Sequence, residues 1–332
     1  DYKPIKHSVN ILGEYNIGGD AWEIKRILTL CGYEVISTFT GDGSVEHYRR
    51  AHTADLNVIQ CHRSINYIAE MMKIQYGTAW MKGDFIGLDN TIETLREMAK
   101  FFGDPVLTEQ TEKVISSELS NISDDMNFYK EKLEGKVAAI CVGGSRTHHY
   151  QLLLKDFGVK TVLAGYEFAH RDDYEGRKVI PDIVEDADLK NIDVLHVDKD
   201  PEKFKIYRTE EEIEELKKEI AELEDYEGME ADMDKGSVII DDFNHYETEE
   251  FLKMLKPDIF FSGIKDKFVF QKQGILSRQL HSYDYAGPYA GFKGAVNFGK
   301  DVTMGLSTPV WNYTVAPWKT ESVLEGKLGG EE

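Results

Sequence analysis

Short apolar runs recur along this chain and alternate with amphipathic stretches, with a turn signal between each pair. Ser8 to Leu12 predicts a strand, followed by the loop Tyr15-Asn16-Ile17-Gly18-Gly19. Asp20 is placed to cap the next helix, with Glu23 three residues on as its partner in a capping box, and Gly32 ends that helix. Glu34 to Phe39 predicts a second strand, turned by Gly41-Asp42-Gly43. Leu56 to Cys61 is the third strand and Ser64 to Tyr76 its helix. Thr78 to Trp80 reads as a short fourth strand, with a helix near Thr91 to Phe102. Strands that are apolar throughout, alternating with helices, indicate a parallel sheet covered on both faces.

A long polar helical stretch, Thr108 to Leu133, reads as a bridge, and the rhythm restarts at Gly135. Lys136 to Val142 is a strand ending in Gly143-Gly144-Ser145-Arg146. Thr161 to Ala164 is the next, ending in Gly165-Tyr166-Glu167-Phe168-Ala169-His170. Asp258 to Ser262 ends in Gly263-Ile264-Lys265, and Ser277 to Leu280 leads into His281. Between Asp172 and Lys235 the rhythm gives way to an acidic stretch. Inside it Thr209 to Asp225 reads as a helix, opened by Thr209 and Glu212 as a capping box. Ile213, Leu216, Ile220 and Leu223 give that helix one narrow apolar stripe. It is too short for a coiled coil, and a surface insertion is the simpler reading. The fold class expected is α/β: two Rossmann-like domains with parallel sheets flanked by helices, plus an acidic, partly helical insertion. The first domain spans residues 1–135 with the bridging helix. The second spans 136–332 with the insertion at about 172–235.

The charge balance narrows the function. With 39 basic against 60 acidic residues in 332, the net charge is −21, which excludes broad binding to nucleic acid or anionic lipid. No apolar run approaches the length of a membrane span, and no signal peptide is visible. The first residue is Asp1 rather than Met, so a processed chain or fragment is expected.

The three cysteines, Cys31, Cys61 and Cys141, are far apart. They form no disulfide framework or CxxC metal site, and they suit a reducing cytoplasm. Cys31 shares a helical face with Ile24, Ile27 and Leu28, and Cys141 lies inside an apolar run, so both belong to the core. Cys61 differs. It closes a buried strand at the end where open α/β sheets bind ligands, and His62-Arg63-Ser64 follows at once. An arginine and a hydroxyl beside a thiol favour the thiolate, its metal-binding form. The competing reading is a small buried hydrophobe.

Further strand ends carry chemistry. At Gly143-Gly144-Ser145-Arg146 two glycines let the backbone approach a ligand, exposed amides favour an anion, and Arg146 adds a fixed charge; a plain tight turn is the alternative. The segment is not a Walker loop, and Gly13 to Gly19 is not a dinucleotide fingerprint. Lys265 and Lys267 stand just past a strand as point charges for a carboxylate or phosphate, or as solvated lysines. His148 and His149 point in different directions on a helix and read as a surface or partly buried pair. His281 lies among Tyr283, Tyr285, Pro288, Tyr289 and Phe292. It suits a metal ligand with an orienting partner, or a hydrogen-bonded core histidine.

Taken in order, these segments resemble the alpha chains of the nitrogenase molybdenum-iron protein family. The resemblance is carried by Gly13 to Trp22, Cys61-His62-Arg63-Ser64, Gly143-Gly144-Ser145-Arg146, Gly165 to His170, Ser262-Gly263-Ile264-Lys265 and His281 to Tyr289. It runs from about Val9 to Trp318, and the acidic insertion is similar to that of the subtype with an extra segment there. The resemblance implies an iron-molybdenum-sulfur cluster with homocitrate, bound through Cys61 to the terminal iron and through His281 to molybdenum. It implies that Ser64 donates to the Cys61 sulfur, that Gly143, Gly144 and Arg146 face the cluster sulfides, and that Lys265 lies near homocitrate. Tyr15, Ile17 and Phe168 would belong to its packing shell. A soft thiolate suits iron in a sulfide cluster, and imidazole suits the other metal.

The resemblance also implies ATP-coupled reduction of dinitrogen to ammonia, a beta chain in an alpha2-beta2 assembly, the nitrogenase iron protein as electron donor, and a cytoplasmic location. No nucleic-acid or membrane partner is expected. One departure matters. The family's 8Fe-7S relay cluster takes three cysteines from an N-terminal domain that has no counterpart here, so that domain is expected upstream and the chain alone is expected to be inactive. A cofactor-assembly scaffold is an alternative, disfavoured by His281 and the Phe168 segment. A vanadium or iron-only nitrogenase alpha chain is another, disfavoured by Phe168 and Lys265. A plain nucleotide-binding protein lacks its phosphate fingerprint.

Overall fold

The computed structural model describes residues 5–142, 146–166, 233, 237–241, 244–263, 266–280 and 286–312. Its first half is a four-stranded parallel sheet: β1 (Ser8–Glu14), β2 (Glu34–Thr40), β3 (Leu56–Ile59) and β4 (Ala79–Lys82), in the order β2-β1-β3-β4. The connecting helices are α1 (Asp20–Cys31), α2 (Val45–Arg50), α3 (His62–Tyr76) and α4 (Leu88–Phe102). Every residue of β1 and β3 is buried, as expected of strands covered on both faces. Gly32 ends α1 in the left-handed conformation and gives its N–H to the carbonyls of Leu28 and Thr29.

The long helix α5 (Pro105–Leu133) follows, its first turn capped by the Asp104 side chain and primed by a proline at its first position. The second sheet contains β5 (Val137–Val142), β6 (Lys160–Tyr166), β7 (Val238–Asp241), β8 (Ile259–Ser262) and β9 (Ser277–Gln279), all parallel, in the order β7-β6-β5-β8-β9. Its helices are α6 (Arg146–Asp156), α7 (His245–Leu255), α8 (Lys267–Lys272) and α9 (Gly291–Ser307). One apolar cluster joins both sheets: Val9, Ile11 and Val58 from the first, Ile140 and Phe261 from the second, with Val114 of α5 and Phe298 of α9 between them.

Most elements fall where the hydrophobic pattern puts them. Three local expectations are corrected. β3 ends at Ile59, two residues early, because α3 already starts at His62 and Cys61 serves as its N-cap residue. The fourth strand is shifted to Ala79–Lys82, set by the register that pairs Ile59 with Lys82. The capping box at Asp20 does not form. Gly19 is the N-cap residue, with no side-chain cap bond. Glu23 instead binds the Arg26 guanidinium, and Asp20 is used elsewhere. The acidic stretch and its helix over Thr209–Asp225 lie outside the described residues.

Phe298 of α9 sits where the packing converges, ringed by Tyr150, Phe157, Phe261 and Tyr289 at centroid distances of 5.2 to 6.4 Å. Replacing a fully buried phenylalanine by alanine removes its transfer energy and leaves a cavity. Phe298→Ala is therefore expected to cost about 3–5 kcal/mol, read as a lower urea midpoint with an unchanged slope.

Candidate functional site

Both sheets reverse their strand order once, between β1 and β3 in the first and between β5 and β8 in the second. Open α/β sheets bind ligands in the crevice at such points, beyond the carboxyl ends of the strands. The first crevice is bounded by Gly13 and Glu14 on one side and Gln60 and Cys61 on the other. Leu12 pairs with Ile59, and Gln60 donates its N–H to the Leu12 carbonyl at 2.8 Å. The two strand ends touch. A Cβ on Gly13 would lie 2.8 Å from both Cβ and N of Cys61, and Gly13 has φ +77°. Only glycine meets both demands. Of the three cysteines, Cys31 and Cys141 are buried at 0% and 1% exposure, whereas Cys61 is half-buried at the crevice.

Arg146, the first residue of α6, brings the second sheet to this crevice. Its charge acts on Glu14, on Asp84 in the turn after β4, and on His149. Glu14 is 1% exposed and accepts the Asn16 N–H at 2.7 Å. Burial, then the neighbouring Asp20, push its carboxyl up to about 7, against the pull of Arg146. Asp84 accepts from the Ile86 N–H at 2.9 Å, the Asn90 amide at 2.6 Å and the Gln60 amide at 3.3 Å. Burial pushes Asp84 up to about 7 as well.

His149 reaches Asp84 at 3.3 Å from the other half of the molecule. Burial, then Arg146, hold His149 down at about 3, so the contact is a hydrogen bond of neutral imidazole and not an ion pair. His149 is buried at 6% exposure, deeper than the surface or partly buried setting that the sequence suggests. Helix α6 is covered by the turn after β4, which hydrophobic pattern alone does not reveal. His148, His149, Asp84, Asn90, Glu93 and Lys82 line a cleft of about 230 Å³ beside this cluster.

Of the remaining sequence candidates, Tyr15 is 40% exposed, and Ile17 packs against the main core. Around Ile17 the chain turns through left-handed Asn16, Gly18 and Gly19. Gly41 closes on the Tyr15 backbone, where a Cβ would lie 2.1 Å from its carbonyl carbon. Gly143, Gly144, Phe168, Lys265 and His281 lie outside the described residues, as does the side chain of Ser64. Among the described residues no group of three or more His, Cys, Asp or Glu could hold a metal ion. No helix there is long and apolar enough to cross a membrane. Sequence reasoning passed over Glu14, Gln60 and Asp84. Glu14 carried a usable signal, an acidic residue ending an apolar strand; Asp84 carried none.

These features define a class: a two-sheet α/β protein with a half-buried thiol at one switch point and, from the other half, an arginine whose charge acts on buried carboxyls near it. A family model described as nitrogenase component 1 type oxidoreductase matches residues 2–307. The chain belongs to this family. It is 56% identical over 328 residues to the nitrogenase molybdenum-iron protein alpha chain of Clostridium pasteurianum, covering 98% of this chain and 61% of that one. It is 49% identical over 320 residues to the chain of that name from Methanosarcina barkeri, covering 96% and 60%. A solved structure titled "Nitrogenase Cp1 at pH 6.5" superposes with a TM-score of 0.78 at 51% identity, covering 96% of this chain and 62% of the other. The chain thus spans about three-fifths of the length of these relatives.

The raised carboxyl of Asp84 has a stability consequence. A folded-state value near 7 against an unfolded value near 4 means that the fold binds the proton more tightly. That contribution is fully present below pH 4 and is lost as pH rises to about 7. Asp84→Asn is expected to remove this loss, flattening the fall of stability between about pH 4 and 7 by about 3–4 kcal/mol. Urea unfolding across that range reads it; an unchanged slope refutes a raised Asp84.

Proposed function

We propose that this chain is part of the alpha subunit of a nitrogenase molybdenum-iron protein and holds an iron-molybdenum-sulfur cluster with homocitrate. What carries the reading is the 56% identity to such an alpha chain over nearly the whole sequence. The setting of Cys61 fits it, since the one cysteine outside the core stands at a switch point. The donor set fits too. A thiolate is a suitable ligand for iron in a sulfide cluster and a neutral imidazole for the second metal. Cys61 would bind the terminal iron and His281 molybdenum.

When bound, the cluster supplies the stored electrons and the metal surface for reduction of dinitrogen. The protein's residues do the rest. Cys61 anchors one end, and its strand cannot drift because Gly13 packs against its backbone. The Gly143 and Gly144 amides and the Arg146 guanidinium would stabilise negative charge on sulfides, and Ser64 would donate to the Cys61 sulfur. Arg146 also offsets the cost of burying Glu14 and Asp84. Lys265 would balance homocitrate. Tyr15, Ile17 and Phe168 would keep water from the cluster. Within this reading the two domains meet at residues 135 and 136. A beta chain completes an alpha2-beta2 assembly that carries the 8Fe-7S relay cluster. ATP hydrolysis belongs to the iron protein, and the complex works in the cytoplasm.

The test is metal analysis of the intact polypeptide purified with its beta chain. Molybdenum should be present, and Cys61→Ala should lower it at least tenfold, since removing a metal ligand costs well over the 10- to 100-fold of an outer-shell change. Gel filtration should show the assembly unchanged. Full molybdenum in the Cys61→Ala complex would sink the assignment of Cys61 as a ligand, and vanadium in place of molybdenum in the wild type would sink the molybdenum assignment. A second substitution checks the neighbouring strand. Gly13→Ala should lower retained molybdenum several-fold, because its Cβ displaces the Cys61 backbone.

A further inference from the structure

Three polar side chains lie side by side in the middle of the first sheet. Asn10 of β1, Asn57 of β3 and Ser37 of β2 are 0%, 0% and 2% exposed. Ser37 Oγ donates to Asn10 Oδ1 at 2.7 Å. Asn10 Nδ2 donates to Asn57 Oδ1 at 2.7 Å and to the Ala51 carbonyl at 2.8 Å. Asn57 Nδ2 reaches the Met72 sulfur of α3 at 3.7 Å. The row follows the backbone pairing, in which Asn10 faces Ser37 on one side and Asn57 on the other.

Stability does not require this row. Apolar residues of the same shape in place of a whole buried network are often neutral or stabilising. Alignment does require something of the kind. Hydrophobic pattern specifies a register when one face of a strand is buried and the other wet, because a slip by one residue turns the apolar set outward. Every residue of β1 and β3 is buried, so a slip exchanges one covered surface for another. The pairing of β1 with β2 already shifts at this point, Val9 facing Val35 but Asn10 facing Ser37. A further slip would part Asn10 from Asn57 and leave buried amide groups without partners, which is costly. The row therefore penalises the wrong alignments, as a single buried asparagine does in a coiled coil.

What the alignment sets is the place of the thiol. Two rungs beyond Asn10 and Asn57, Leu12 faces Ile59, and Gly13 then closes on the Cys61 backbone. Helix α3, touched by the row at Met72, starts directly after Cys61, its N-cap residue. We propose that Ser37, Asn10 and Asn57 are positioning residues: their bonded row selects the one β2-β1-β3 alignment that puts Cys61 against Gly13, and so fixes where the thiol meets a metal. The metal-binding consequence rests on the cofactor reading above, whereas the alignment does not.

The experiment uses the intact polypeptide with its beta chain, made without and with cofactor. Asn10→Ala alone strands Asn57 Oδ1 and the Ser37 hydroxyl. The triple variant Ser37→Ala, Asn10→Val, Asn57→Val removes the whole row, and the Ala51 carbonyl keeps its bond from the Ala54 N–H. The urea midpoint reads stability. Hydrogen exchange over residues 56–61 of the cofactor-free complex reads alignment, with residues 137–142 of the second sheet as the control, and metal analysis reads retained molybdenum. Asn10→Ala should lower the midpoint, speed exchange over 56–61 and lower molybdenum. The triple variant should return to the wild-type midpoint or above it. It should still exchange at least tenfold faster over 56–61, with 137–142 unchanged, and retain several-fold less molybdenum. Recovery of all three readouts together overturns the inference, since the row would then be structural only. Fast exchange with full molybdenum overturns it as well, and so does exchange that speeds equally in both segments. If the triple variant does not accumulate, Asn10→Val with Asn57→Val decides by exchange and metal content. A wild-type complex without molybdenum overturns the cofactor reading, and the exchange comparison then decides the alignment by itself.

Discussion

The parallel pairing of β1 with β3 is the constraint on which the site depends. It brings two strand carboxyl ends together at a point where the chain reverses direction across the sheet. The ladder bond from Gln60 to Leu12 fixes the register, and the Gly13 backbone then lies against Cys61. A thiol held this way has its backbone fixed by the fold itself. Ligands placed on rigid elements with supporting contacts around them are the ones that keep a productive geometry. The second sheet meets the first through a shared apolar core, with α5 and α9 as the common walls. That core lets Arg146 of α6 act on groups of the first sheet.

Electrostatics at this junction run against ordinary surface behaviour. Two carboxyls, Glu14 and Asp84, are pushed up to about 7, and an imidazole is held down at about 3. Desolvation is the largest cause in all three, and it disfavours whichever form is charged. The groups are buried because the two halves close over them, and Arg146 is the fixed positive charge that tempers the cost. The chain's net charge of −21 disfavours contact with nucleic acid.

The strand and helix plan was legible because its signals are local. Apolar runs, left-handed glycines and a proline at the start of α5 each act over a few residues. Cys61 was legible for the same reason, as a thiol at the end of an apolar run. Its boundary was not, because strand and helix compete for residues 60 to 62 and α3 won. Asp20 shows the limit most clearly. Locally it is a plausible cap with Glu23 in the right place. The fold instead offered its carboxylate two amides from the far end of the chain, and Glu23 an arginine. His149 reads as part of a surface or partly buried pair, since nothing in α6 announces the turn that covers it.

The sequence by itself determined the α/β class, the strand ends worth examining and the family to which the segments point, since these follow from short-range pattern and ordered motifs. Tertiary structure alone decided that Glu14, Asp84, His149 and Arg146 share one buried junction, and that Asp20 ties Tyr289 and Ala290 to the first sheet. The physical reason is range. Periodicity and capping act within a turn or two of helix, whereas desolvation and a bond spanning 269 residues exist only once the sheets have closed on each other.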